Sequence, residues 1–411
     1  MDIETIINNL TRRGVFEFDV YASGMFPAVG KGTVTEATSG YRAAWVRDNV
    51  HIAYAHHVCG LSQVAVRCVE AILKIYQAHQ NWFSDVIEKR RSPDNPMNRP
   101  HIRFDGDTGA IIEAKWPHAQ NDALGAFMWL CCRLILDGAM TPDTQTVALL
   151  SLMVQYMDAI QFYHDEDSGH WEEQRKISAS SVGAVCAGLR EFIALCRDTG
   201  NAAAAVSSRI VDVATTLFAK GHQALSNILP YECRQVDSRK RRRYDAALLF
   251  LVEPFNIVGA AHADRIVADV ATHLQGEYGI RRYLMDSYWG PDYRTIPAEK
   301  RTIDLSDDII ARDDFAVEGQ EAQWCIFDSI VSLYYGRKFQ QSQDPQFLNS
   351  QVAYLQRALA QLQETPEGRL LMPEAYFIEN GCYIPNDHLP LQWAQANLWR
   401  AVQAIKHRDN R

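Results

Sequence analysis

The chain has 411 residues, 47% of them hydrophobic, so it can bury a large core; length alone suggests two or three domains, although single large barrels reach this size. Its net charge of −9 argues against nucleic acid as the main partner. The nine cysteines are scattered without a C-x-x-C pair, which suits buried free thiols in a reducing cytoplasm. The N-terminus, MDIETIINNLTRRG, lacks a basic region followed by an apolar core, so no secretory leader is expected. No apolar run approaches the length that spans a bilayer. A soluble cytoplasmic protein follows, with neither nucleic acid nor membrane as partner. The run Arg239-Lys-Arg-Arg-Arg243 departs from the acidic balance. It reads as a solvated loop, or alternatively as a contact surface for an acidic partner.

In chain order, residues 1–40 are rich in glycine, and the alternation of Phe16, Phe18 and Val20 predicts an extended segment. Gly24 to Gly32 faintly suggests a phosphate loop, but the spacing fails and Gly32 stands where Ser or Thr is required. From about residue 48 the period becomes helical, with Val64, Cys68, Ile72 and Ile75 on one face. Residues 84–100 are charged and carry prolines, which predicts a loop. A helix over 121–137 ends before Thr141-Pro-Asp143, and the next carries the stripe Val147, Leu150, Met153, Val154, Met157 and Ile160. Further helices are expected over 179–197, 202–227, 245–252, 261–274, 319–336, 346–363 and 388–406, with long loops at 228–244 and 275–318. Strand-like alternation is sparse. Ten or eleven helices joined by short connections mean a solenoid or a closed helical toroid. The absence of a recognisable repeat of 34 to 47 residues counts against the solenoid.

Within this frame, Ser168-Gly-His-Trp-Glu-Glu-Gln-Arg-Lys-Ile-Ser-Ala-Ser-Ser-Val-Gly183 combines paired carboxylates with a tryptophan. A carboxyl group held against an indole loses hydration, and its pKa rises. That is how an acid is prepared to give up a proton near neutral pH. The bland alternative is a loop whose two glutamates are solvated and cap the following helix near Ser178 or Ser180. Similar clusters of Trp, Asp, Glu and Arg stand before other helix starts, at 41–49, 116–122, 281–292 and 373–387. In a closed toroid such loops converge on one mouth. Aromatic faces, carboxylates and guanidinium groups are the side chains that hold sugars. Trp45, Trp393 and Trp399 sit at helical positions and read as core. His118 is a candidate hydroxyl partner. His56 and His57 are adjacent, face different ways, and show no HExxH pattern, so neither a metal nor a cofactor is expected.

Five of these segments, in order, resemble glycoside hydrolase family 15, the glucoamylases, and the related domain of phosphorylase kinase alpha and beta subunits. They are Tyr41-Arg-Ala-Ala-Trp-Val-Arg-Asp48, Trp116-Pro-His-Ala-Gln-Asn-Asp122, His170-Trp-Glu-Glu173, Arg282-Tyr-Leu-Met-Asp-Ser-Tyr288, and Met372-Pro-Glu-Ala-Tyr376 followed by Leu389-Pro-Leu-Gln-Trp393. Ala179-Ser-Ser-Val-Gly183 looks more like the phosphorylase kinase branch. The resemblance covers about residues 40–405 and implies an all-α (α/α)6 barrel, a toroid of six helical hairpins, spanning 41–411. Residues 1–40 would pack on it as an extended segment.

By the same resemblance Glu172 is the general acid and Glu374 the general base, with Glu379 as a rival. Tyr41, Arg47, Asp48, Trp116, Trp171, Glu173, Arg282 and Tyr288 would line the sugar. Met285 stands where glucoamylases commonly carry an acid. The implied activity is inverting, exo-acting hydrolysis of short α-glucans or α-glucobioses with release of β-glucose. The alternative is a non-catalytic carbohydrate-binding or regulatory module.

Overall fold

Two kinds of helix alternate along the chain, and burial tells them apart. In a computed structural model, which describes residues 3–30, 40–198, 206–296 and 316–409, one kind is buried nearly all round and the other along one stripe. The first kind comprises α2 (Val46–Val58), α5 (Asn121–Leu136), α7 (Ala179–Arg197), the short α9 (Leu249–Val252), α11 (Phe327–Ser342) and α13 (Gln392–Asp409). The second comprises α1 (Ile3–Arg12), α3 (Ser62–Ala78), α4 (Asn81–Ile87), α6 (Thr144–Ala159), α8 (Ser208–Ile228), α10 (Ala260–His273) and α12 (Pro345–Ala360). In α8 the buried residues are Ala214, Leu217, Gly221 and Leu225, a stripe at helical spacing.

The buried helices touch in succession, α2 to α5 to α7 to α9 to α11 to α13, and α13 returns to α2, which closes the inner ring. Outside it, α3 packs on α2, α8 on α7, α10 on α9, α12 on α11 and α1 on α13, while α6 lies between α3 and α8. The result is an all-α (α/α)6 barrel. The tightest place in the ring is α5 against α7. A Cβ on Gly125 would lie 2.5 Å from the Val185 backbone nitrogen, and one on Gly188 would lie 2.7 Å from the Gly125 carbonyl oxygen. Only glycine lets these two backbones approach so closely.

Several expectations need correction. Residues 3–12 are helical, and α1 is the outer partner of the C-terminal helix, with Glu4 3.4 Å from Lys406. The extended reading survives only beyond it, where Phe16 and Phe18 both pack on Trp399. The 84–100 loop begins inside α4 and contains a 3-10 turn over Pro96–Asn98. The helix expected at 319–336 starts at Phe327, because residues 323 and 324 pair in a sheet. Asp143, whose carboxylate accepts the Thr146 amide at 2.7 Å, is the N-cap of α6. Helix α7 is long and apolar enough to cross a membrane by length and composition, contrary to the reading of its sequence. It is one of the inner-ring helices, buried over most of its length inside the barrel. Residues 202–205 of the expected 202–227 helix, Lys31 and Gly32 of the glycine run, and 297–315 of the 275–318 loop lie outside the described residues.

Short strands punctuate the loops, among them β1 (Ala44–Trp45), β2 (Arg103–Phe104), β3 (Cys233–Arg234), β4 (Arg241–Arg242), β5 (Ile280–Arg281), β6 (Gln323–Trp324), β7 (Gln363–Glu364), β8 (Leu370–Leu371), β9 (Ala375–Glu379) and β10 (Cys382–Pro385). At one end of the barrel four of them form an antiparallel sheet in the order β10-β9-β6-β5. Gln323 pairs with Tyr376 and Trp324 with Ala375, which ties the loop before α11 to the loop before α13. These strands are too short for their alternation to be read from sequence. The five polar clusters all lie in loops that lead into inner helices, so the inner helix N-termini and their positive dipole ends gather where the clusters meet.

Candidate active site

The acid segment is a closed loop. Asp167 and Lys176 pair through both backbone hydrogen bonds, at 2.9 and 2.8 Å, and the Ser168 amide donates to the Ala119 carbonyl at 2.7 Å. Between these ties a 3-10 turn over Gly169–Trp171 ends on Glu172, whose φ of 57° lies in the left-handed region. A non-glycine residue there carries backbone strain, a feature that gathers at functional sites. The capping alternative fails on geometry. The first turn of α7 is capped by Glu232, which accepts the Ser180 amide at 3.1 Å and the Ser180 hydroxyl at 2.5 Å.

The two glutamates are held differently. Glu172 is half-buried, with the Arg47 guanidinium 3.6 Å away. Burial pushes its carboxyl above the ordinary value, against the lowering effects of Arg47 and a hydrogen bond with Gln120. Glu173 is buried with both oxygens engaged. One accepts the Tyr283 hydroxyl, and the other accepts Arg242 Nη2 at 2.9 Å and Lys176 Nζ at 3.2 Å. Arg282 Nη2 stands 3.9 Å from it. The basic run is therefore only partly a solvated loop. Arg242 enters the barrel mouth, stacks on the Tyr283 ring at 3.4 Å and bridges Glu173 to Asp245. Arg243 pairs with Asp269 and Lys240 with Glu166.

Arg47 anchors the floor. Its Nε meets Asp122 at 2.5 Å, and its Nη2 donates to Gln120 at 2.5 Å and to the Gly169 carbonyl at 3.0 Å. Burial alone would raise the Asp122 carboxyl, but Arg47 and His170 hold it below its usual value. Asp48, next in the same helical turn, is pushed up to about 7 by burial, partly offset by Arg47, with Glu172 and Glu374 both adding to the rise. Asp48 thus lies within electrostatic reach of both expected catalytic carboxylates.

Aromatic groups form the walls. Arg282 is buried, its Nε and Nη2 bound by Asp286 at 2.6 and 2.7 Å. Its guanidinium lies 5.1 Å from the Trp171 ring, 4.8 Å from Trp324 and 4.9 Å from Tyr288. Trp171 is fixed in turn by donating to Asp245 at 2.9 Å. Trp116 carries the Arg103 guanidinium on its face at 3.5 Å, and Arg103 acts electrostatically on Glu172. Trp45, Trp393 and Trp399 are buried in the core. His118 is buried as well, stacked on His101 at 3.9 Å and pushed down to about 2, first by desolvation. Its Nδ1 accepts the Ile102 amide at 3.3 Å, and its buried Nε2 meets no hydrogen-bond partner among the described residues. His56 bonds the Ile52 carbonyl, while His57 meets Ser62 and Asp137. Met285 is exposed beside the site with a left-handed φ of 64°.

Opposite stands Glu374, buried at the entry to β9. Its Oε1 accepts the Tyr41 hydroxyl at 2.9 Å, and its Oε2 accepts Asn386 Nδ2 at 2.8 Å and faces His388 Nδ1 at 2.5 Å. The Tyr41 and Tyr288 hydroxyls are 2.6 Å apart. Burial first, and then Glu374, raise both phenols well above their ordinary values. Glu379 sits at the far end of β9 in an ion pair with Arg294 at 3.2 Å. Sequence reasoning did not single out Asn386, His388 and Asp245, and it gave no site role to Arg242 of the basic run or to Tyr283 of the 282–288 motif. Their sequence signal was membership of polar stretches next to the recognised motifs.

A closed ring of helical hairpins with carboxylates, arginines and indoles at its mouth is one of the folds on which glycoside hydrolases are built. The chain belongs to glycosyl hydrolases family 15, whose family model matches residues 4–381. It is 23% identical over 387 residues to a probable phosphorylase b kinase regulatory subunit alpha from Drosophila melanogaster, a match covering 87% of this chain and 28% of that subunit. Among solved structures, a glycosidase variant in complex with glucose has a TM-score of 0.67 at 17% identity, over 98% of this chain and 96% of the other. The glucoamylase from Saccharomycopsis fibuligera has a TM-score of 0.62 at 13% identity, over 100% and 96%. At these identities the structures show the shared fold.

Proposed function

We propose that the chain is an inverting, exo-acting α-glucoside hydrolase that releases β-glucose from the non-reducing ends of short α-glucans or α-glucobioses. The observation that carries this reading is the unequal treatment of two carboxylates across one mouth. Glu172 is desolvated and raised, as a proton donor requires, while Glu374 accepts hydrogen bonds from Tyr41 and Asn386 and meets His388 Nδ1, an environment of polar partners suited to a base. In the reaction Glu172 gives its proton to the glycosidic oxygen as the C–O bond breaks. Glu374 takes a proton from water as the water oxygen bonds the anomeric carbon from the opposite face. Charge and atoms balance, with one water consumed and the configuration inverted.

Arg47, Asp48, Arg282 and the aromatic walls would hold the terminal glucose, with Tyr41 and Tyr288 beside the attacking water. Glu173, whose oxygens already hold Arg242, Lys176 and Tyr283, would act on the sugar mainly by fixing the neighbouring Arg282 and Trp171. Nine free thiols agree with a cytoplasmic setting. A second reading, a sugar-binding regulatory module without turnover, draws on the sequence relatives that are regulatory subunits. Incubation with a panel of α-glucobioses, with NMR of the first product anomer, decides between them. β-Glucose supports the hydrolase, α-glucose sinks the inverting mechanism, and no release from any member favours the regulatory module.

A further inference from the structure

Glu374 is not held symmetrically, and the asymmetry identifies which of its oxygens does the chemistry. A carboxylate oxygen offers about two acceptor sites. On Oε2 both are taken, by Asn386 Nδ2 at 2.8 Å and His388 Nδ1 at 2.5 Å. On Oε1 one is taken, by the Tyr41 hydroxyl at 2.9 Å. Since Tyr41 donates its single proton there, it must accept from Tyr288 across their 2.6 Å contact. The donor sequence runs one way, from Tyr288 to Tyr41 to Oε1.

We propose that His388 is a positioning residue for the base, locking Oε2 so that Oε1 alone faces the attacking water. This rests on the hydrolase reading above. A hydrogen bond from the ring to Oε2 requires the proton on Nδ1, the tautomer this role predicts. The ring cannot turn away. Its face stacks on Tyr41 at 3.7 Å between centroids and 29° between planes, and Trp289 meets it at 5.5 Å and 89°. Its backbone is held by the same partner, because the Glu374 amide donates to the His388 carbonyl at 3.0 Å. Asn386 is fixed likewise, its amide donating to the Ala375 carbonyl at 2.9 Å and its side-chain oxygen accepting the Ala375 amide at 3.3 Å. The loop from β10 to α13 thus doubles back on the base and grips it by backbone and side chain together. Without His388 the carboxylate can rotate about its last bond, and water at Oε2 would stand out of line with the anomeric carbon. A misplacement of about 1 Å at a reacting atom can cost about 10²-fold in rate.

The test compares His388→Ala, His388→Asn and the unaltered chain on the α-glucobiose panel, with glucose binding by calorimetry. Imidazole ¹⁵N–¹H spectra read the ring tautomer. The expected result is a kcat about 10²-fold lower in His388→Ala, a KM and glucose affinity within about threefold of the parent, and at least tenfold recovery of kcat in His388→Asn, which keeps one donor. The unaltered chain should show the Nδ1–H tautomer, and Glu374→Gln should shift that signal. Unchanged kcat in His388→Ala overturns the proposal. So does loss of glucose binding together with kcat in both variants, which would mark a merely structural histidine. If the unaltered chain turns over no member of the panel, the hydrolase reading fails, and with it the role of His388 on a reacting water. An Nδ1–H signal absent in an active chain overturns the His388 contact alone.

Discussion

The two halves of the mouth hold the same side chain in opposite ways. On the α7 side, Glu172 sits on a strained left-handed residue at the end of a loop, with a guanidinium 3.6 Å away and burial as the dominant influence. On the α13 side, Glu374 enters a four-stranded sheet and is gripped by Tyr41, Asn386 and His388. Desolvation favours the neutral acid, and donated hydrogen bonds favour the anion. The proposed donor and the proposed base thus stand in unlike surroundings, the first set mainly by burial and the second by its hydrogen-bond partners. The acid half also stands on a charge network, Glu173–Arg242–Asp245, while in the sheet of the base half Arg281 pairs with buried Glu321 at 3.1 Å.

The largest expected effects test whether the halves are jointly required. Glu172→Gln and Glu374→Gln should each lower kcat by about 10⁴-fold while glucose binding, measured by calorimetry, stays within about threefold. If either variant keeps more than a tenth of the activity, the paired-carboxylate assignment is wrong. Next comes the foundation of the acid half. Arg242→Met leaves Glu173 and Asp245 buried beside fewer positive charges and should cost about 3–5 kcal/mol in urea unfolding. A cost below about 1 kcal/mol would return Arg242 to the solvated surface.

Two smaller effects sharpen the electrostatic contrast. The Asp48 carboxyl, raised to about 7, contributes stability that is full below its unfolded value and lost as pH rises through 7. Asp48→Asn removes that loss, so its stability relative to the parent should increase between pH 5 and pH 8 by on the order of 2 kcal/mol, while sugar binding weakens. Parallel melting curves at the two pH values would detect a flat difference, which would refute the raised carboxyl. Activity of the parent should fall as pH rises through the raised Glu172 value, because only the protonated form donates. Last, Trp171→Phe deletes the hydrogen bond to buried Asp245 and should lower kcat by about tenfold and cost about 1–3 kcal/mol in urea unfolding.

Much of the barrel was legible because helical periodicity is local. The expected 179–197 helix coincides with α7, and 121–137, 261–274 and 346–363 lie within a few residues of α5, α10 and α12. The misses came where local signal is weak. Residues 3–12 are helical despite the reading of 1–40 as extended, and the two-residue strands of the mouth have no alternation to read. In the site, Tyr41, Arg47, Asp48, Trp171, Glu172, Arg282, Tyr288 and Glu374 do come together, as their clustered residue types implied. His118 is buried, stacked on His101, with its Nδ1 taken by the Ile102 amide.

By itself the sequence determined the class of fold and the set of polar segments, because helix periods and motif order are properties of neighbouring residues. The resemblance of its motifs to a known family named Glu172 as donor candidate and Glu374, with Glu379 as rival, as acceptor candidate. Only the tertiary structure decided how each is held. Which oxygen is saturated, which carboxyl loses its water and which arginine turns inward depend on side chains brought together from opposite sides of a closed ring. Arg242 is the clearest case. Read locally it is one cation in a basic run, and only the fold sets it between two buried carboxylates and an aromatic ring.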